Sequence, residues 1–152
     1  MPRMLVVCLL GMASIFAHAT SECRVVGGAI STNFVNPTTT AGTATGDLAG
    51  SVGVSVLKVT PNASGAVVFH NQHTWVTATG DTIQTDPADA TAFPTSVPGF
   101  YAASYLNGVV ITGGTGRFAK ASGKVFGWGA VNLATNELVL RYEGTVCFAD
   151  GD

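Results

Sequence analysis

Charged side chains are scarce in this chain: only 11% of its 152 residues are Asp, Glu, Lys or Arg, and the formal net charge is −2. The basic residues beyond the first few positions, Arg24, Lys58, Arg117, Lys120, Lys124 and Arg141, are scattered, with one loose trio around 117–124. That distribution argues against nucleic acid and anionic membrane surfaces as partners. Histidine is as rare, with His70 and His73 the two imidazoles outside the N-terminal segment. On a strand, residues three apart point to opposite faces, so one metal ion cannot easily take both; no metal site and no cofactor is expected. Helical periodicity is lacking, as are low-complexity tracts and repeats of 20–50 residues that would signal a solenoid. No GxSxG elbow is present, and a Ser-His-Asp triad cannot be inferred from scattered residues.

One apolar run stands out, at the N-terminus. Arg3 is followed by the almost wholly apolar segment 4–16 and by the small-x-small sequence Ala17-His18-Ala19. This reads as a secretory signal peptide over 1–19, with a single domain over 20–152. At ~13 residues the run is short of the ~20 needed to span a bilayer, which disfavours a membrane anchor, and no later segment is long or apolar enough to span. The expected location is secreted or periplasmic. Removal of the leader takes Cys8 with it and leaves Cys23 and Cys147 at opposite ends of the domain. In an oxidising compartment the pair reads as a disulfide, against the alternative of two free buried thiols. A bridge needs Cα atoms within about 7 Å, so it predicts that the first and last strands are neighbours.

What the chain has in quantity is β-forming residues punctuated by turns. Hydrophobic residues make up 47% of it, and there are 19 glycines. Short β-like runs are predicted at 23–33, 43–48, 52–59, 66–77, 81–85, 100–112, 123–133 and 137–148. Breaks are predicted at Asn36-Pro37, 61–65, Thr79-Gly80, 87–98 and 132–136, the segment 87–98 being either a lid or a plain crossing. Eight strands with mostly short links suggest an up-and-down antiparallel meander. The cysteine pair suggests that it closes on itself, a β-barrel in preference to a β-sandwich.

Alternation assigns faces. In the last strand Leu138, Leu140, Tyr142, Val146 and Phe148 form the inward row, with Glu137, Val139, Arg141, Glu143 and Thr145 outward. Tyr101, Tyr105, Val109 and Ile111 share a face with Asn107. Val67, Phe69, His73 and Trp75 share another, which a single bulge would invert.

The sharpest local feature is Gly113-Gly114-Thr115-Gly116, a reversal that needs positive φ, after an apolar run and before Gly123, Gly127 and Gly129. Gly114-x-Gly116-x-x-Ala119 matches a dinucleotide fingerprint in letters, but 120–128 has no helical stripe to receive a pyrophosphate, so a hairpin is the reading. The segment Ile111-Thr112-Gly113-Gly114-Thr115-Gly116-Arg117-Phe118-Ala119, followed by Ala121-Ser122-Gly123, resembles the glycine hairpin of the allene oxide cyclase and dirigent barrel superfamily. Trp75-Val76-Thr77 through Gly80-Asp81-Thr82-Ile83, and the ending Leu140-Arg141-Tyr142-Glu143-Gly144-Thr145-Val146-Cys147, are similar to exported bacterial proteins of that type. The resemblance implies an eight-stranded barrel with a mostly apolar interior, often oligomeric. Its members include cyclases that fold a reactive lipid epoxide and dirigent proteins that steer radical coupling; many exported relatives have no assigned activity.

Three functions follow as expectations: an exported barrel holding a small apolar or amphipathic ligand, a cavity-templated cyclase or isomerase, or a filled structural barrel that binds partners through its outer face; a homo-oligomer is a further expectation. His73 and Tyr142 are the catalytic candidates, against a structural hydrogen-bonded histidine and a core tyrosine. Trp75, Tyr101, Tyr105 and Asn107 are ligand-binding candidates, the aromatic groups here and at Trp128 either filling a core or lining a cavity. Arg117 could take an anionic ligand group at the rim or pair with a carboxylate such as Glu143. Asp81, Asp86 and Asp89 lie among turn residues, where solvation and turn-making are the expected roles. Asn62-Ala63-Ser64 is a glycosylation sequon, without meaning in a bacterial host.

Overall fold

A computed structural model of the chain describes residues 21–149; the expected leader lies outside them. Nine strands follow in order: β1 (Ser21–Asn36), β2 (Thr39–Ala44), β3 (Gly50–Pro61), β4 (Val67–Thr77), β5 (Thr82–Thr85), β6 (Ala88–Pro94), β7 (Phe100–Gly114), β8 (Ser122–Asn132) and β9 (Glu137–Ala149). Each pairs antiparallel with its chain neighbour, except that β5 and β6 share one position between β4 and β7. β9 returns to β1 in a ladder running from Ser21 opposite Ala149 to Asn33 opposite Glu137. The result is a closed eight-position antiparallel barrel, and closure removes the unpaired edges an open meander would expose.

Two segments differ from the sequence-based expectation. The second strand occupies Thr39–Ala44 rather than 43–48. Gly46, at φ 87°, turns the chain, Ala49 N–H donates to Gly46 O, and the Asp47 carboxylate accepts from Gly27 N–H, so 45–49 forms a loop. The stretch 87–98 is neither lid nor plain crossing, because Ala88–Pro94 is β6 and completes the wall. Its prolines stand outside or at the end of the strand, where no ladder N–H is required.

The glycine hairpin holds as a connection between β7 and β8. It contains the one helical piece among the described residues, a three-residue 3-10 turn (Gly116–Phe118), and no helix for a nucleotide. Gly116 has φ 54°, and a Cβ there would stand 1.9 Å from an Asp81 carboxylate oxygen. This turn drives Phe118 into the barrel end, where with Leu48 and Val146 it is fully buried. These three side chains close one end. The other end, bounded by 36–38, 61–66, 95–99 and 133–136, is the mouth.

The last strand alternates as read, with Leu138, Leu140, Tyr142, Val146 and Phe148 on the more buried row. Trp128 faces outward and is exposed. Cys23 and Cys147 lie opposite one another in the β1–β9 ladder and form a disulfide, with Cα atoms 3.8 Å apart. No helix among the described residues is long and apolar enough to cross a membrane.

Candidate functional site

Inward side chains leave a cavity of about 220 Å³ inside the barrel. The wall mixes sizes: the small residues Ala90 and Ala92 of β6 pair with Phe69 and Val67 of β4, and Ala103 of β7 adds another small one. It is far larger than the ~10–15 Å³ one water needs, and smaller than the ~300–1,000 Å³ of pockets for drug-sized ligands. Among the described residues that line it there is no Asp, Glu, Lys or Arg. Its polar groups are those of Thr32, Thr40, Asn71, His73, Thr85 and the tyrosines Tyr101, Tyr105 and Tyr142.

β4 presents Val67, Phe69, Asn71, His73 and Trp75 to this space, so the inward row expected for that strand is the observed one. Asn71 and His73 converge on the Tyr105 hydroxyl of β7. Asn71 Nδ2 donates to Tyr105 Oη at 2.9 Å, and His73 Nε2 lies 3.1 Å from the same oxygen. With the amide donating, the tyrosine proton has Nε2 as its acceptor, which puts the imidazole proton on Nδ1. The rings also meet, centroids 5.2 Å apart. His73 is half-buried and lines the cavity. Burial pushes its pKa down to about 4, so the ring is neutral near pH 7. Burial likewise pushes Tyr105 up to about 12, against the opposing pull of the Asn71 hydrogen bond. Asn71 Oδ1, His73 Nδ1, Thr40 Oγ1 and Thr85 Oγ1 are buried without a partner among the described residues.

Tyr142 and Trp75 do a different job. Trp75 Nε1 donates to Leu48 O at 2.8 Å, and Tyr142 Oη accepts from Leu48 N–H at 2.9 Å while donating to Thr45 O at 2.8 Å. The two rings meet edge to face, centroids 5.6 Å apart. Together they clamp the loop 45–49 over the closed end. Gly28 makes room for the clamp: a Cβ there would stand 1.9 Å from Thr45 O and 2.7 Å from the Tyr142 ring. Burial raises the Tyr142 pKa, Leu48 N–H lowers it, and nearby Asp47 raises it again. A hydroxyl already holding both a backbone donor and a backbone acceptor has little left for proton transfer, which makes Tyr142 a structural residue.

The remaining candidates disperse. Tyr101 lines the cavity. Asn107, expected on the inward face, is exposed. Between Tyr105 and Val109 the β7 register slips so that three residues oppose Phe126 alone, and this bulge throws Leu106 and Asn107 outward while Tyr105 and Val109 stay inward. Arg117 belongs to the closed end, away from the mouth. Its guanidinium lies over the Phe118 ring at 4.8 Å, with Nε 4.0 Å from Asp81 Oδ2, so its carboxylate neighbour is Asp81 and not Glu143. Asp89 faces outward beside His70, Nδ1 to Oδ1 2.7 Å, and Asp86 is exposed. Asn71 was missed by sequence reasoning, although it shares the parity of Phe69 and His73.

No protein-family model matches the chain, and no curated protein matches it. Among solved structures it is similar to the pterocarpan synthase dirigent protein GePTS1, at 14% identity and a TM-score of 0.38, over 94% of this chain and all of that one. At that distance no activity passes from the one protein to the other.

Proposed function

We propose that this chain is an exported barrel whose interior cavity binds a small, mostly apolar molecule. The observation that carries the reading is the cavity itself: about 220 Å³, walled by aliphatic and aromatic side chains, with a few neutral polar groups among them. A structural barrel has reason to fill such a space, because an apolar void forfeits the dispersion contacts of everything that lines it. Export is supported by the N-terminal leader pattern and by the disulfide, which persists in oxidising compartments. The likeness of the hairpin 111–123 to the allene oxide cyclase and dirigent superfamily agrees with an interior site.

Templated cyclisation or isomerisation is a second reading, favoured by one observation. A neutral imidazole and a tyrosine hydroxyl in hydrogen-bond contact, His73 and Tyr105, stand in an apolar wall where a proton can be passed without charged side chains.

The test of binding uses N-phenyl-1-naphthylamine, an uncharged fluorophore that brightens in apolar surroundings. The mature protein is expected to raise its emission saturably. Ala103→Phe, which puts a ring into the space, is expected to abolish that rise while keeping the melting temperature at or above that of the parent. No emission change with the parent protein, or an undiminished one with Ala103→Phe, would exclude the cavity as the site.

A further inference from the structure

Resting on the binding reading above, we propose that the cavity selects an uncharged lipophile bearing a hydroxyl group, and that Asn71, His73 and Tyr105 receive that hydroxyl. Selection against charge follows from the walls and from the entrance. No ionised side chain among the described residues lines the cavity. The turns around the mouth, 36–38, 61–66, 95–99 and 133–136, contain no Lys or Arg; the nearest charges along the chain are Glu137, one residue beyond, and the exposed Lys58, three residues before Pro61. A carboxylate bound head-in would lose its hydration and meet no counter-charge, the costly case for a buried ion, while one bound head-out would stay hydrated but leave the unpaired polar atoms of the interior unmet.

Selection for a hydroxyl follows from the unpaired atoms. Asn71 is 5% exposed, and its Oδ1 is an acceptor without a donor. His73 Nδ1, carrying the imidazole proton when Nε2 accepts from Tyr105, is a donor without an acceptor. The two residues stand two apart on the same inward face of β4, on either side of the oxygen they share. A hydroxyl both donates and accepts; a carbonyl or carboxylate only accepts, and an ammonium only donates. Thr40 and Thr85 add two further unpartnered hydroxyl oxygens to the same lining.

The experiment compares 1-octanol with octanoate by isothermal titration calorimetry at pH 7.5, on the mature protein. Octanol is expected to bind at least tenfold more tightly. Asn71→Leu, close in size, is expected to weaken octanol binding several-fold while the melting temperature holds or rises, because it removes an unsatisfied buried acceptor. His73→Phe serves as the second variant should Asn71→Leu not fold, with the same loss expected, because it removes the unpaired Nδ1. Octanoate matching octanol overturns the selection, as does failure of both to bind a protein that still binds the naphthylamine. Undiminished octanol binding by the folded variants overturns the assignment to this cluster. Failure of all three ligands would remove the binding reading itself.

Discussion

His73 shows how one side chain can register pH in a wall that has no Asp, Glu, Lys or Arg among the described residues. Its pKa is about 4 in the folded protein and near 6.5 when exposed, because burial penalises the imidazolium. Above pH 6.5 the ring is neutral in both states and titration costs nothing. As pH falls from 6.5 toward 4 the unfolded chain takes up a proton that the folded barrel does not, so stability is lost over that window and the loss levels off below it. The full shift corresponds to on the order of 3 kcal/mol, an upper figure for a ring that faces a cavity. Urea denaturation at pH 7 and pH 4.5 is expected to show a larger loss for the parent than for His73→Phe; equal losses would place the imidazole in a solvated setting. The alternation of β4 made His73 legible as an inward residue. That its ring meets Tyr105 was not, since the contact joins residues 32 apart in the chain. Asn71 was illegible for another reason: a lone amide in a strand is usually a solvated one, and only its partner on β7 shows otherwise.

At the scale of elements, the loop 45–49 carries the closed end. Leu48 is the plug, and Trp75 and Tyr142 hold its carbonyl and its N–H. Tyr142→Phe leaves that buried N–H without an acceptor, so a loss of about 1–3 kcal/mol is expected, measured as a lower denaturation midpoint with an unchanged slope. Octanol affinity should stay within twofold, because the Asn71–Tyr105 cluster is untouched; a collapse of binding would return Tyr142 to the site. The second strand was read four residues late because Thr43, Ala44 and Thr45 prolong a β-like run, whereas Gly46 and Asp47 impose a turn that ends it. β6 was hidden by its punctuation: Pro87 and Pro94 bracket it, and a proline at a strand boundary looks, in one dimension, like a loop. The β7 bulge was equally invisible, since two extra residues preserve the alternation of Tyr105 and Val109 on either side of it.

The whole molecule is sealed by the β1–β9 ladder and stapled across it by Cys23–Cys147. The bridge spans 124 residues of sequence, so in the chain-entropy view its removal restores a large freedom to the unfolded chain, an upper bound of roughly 4–5 kcal/mol. Cys23 is exposed on the outer face, where a reductant can reach it. Verified reduction is expected to lower the melting temperature by several degrees while the β-type circular dichroism at 20 °C is retained, because the backbone ladder closes the barrel without the sulfurs. An unchanged melting temperature would mean that the unfolded state is already constrained; loss of β-structure at 20 °C would mean that the ladder depends on the bridge.

By itself the sequence determined the class of fold: strand periodicity, turn residues and a terminal cysteine pair are local or compositional signals, and all point to a closed meander. It determined which row of the last strand is buried, because a two-residue period read over thirteen positions leaves little room for error. Only the tertiary structure decided that the barrel is hollow, which end is plugged, and which polar groups meet inside. Those properties depend on the sizes of side chains facing one another across the barrel and on strand registers set by bulges, and neither is written in the order of residues along any one strand.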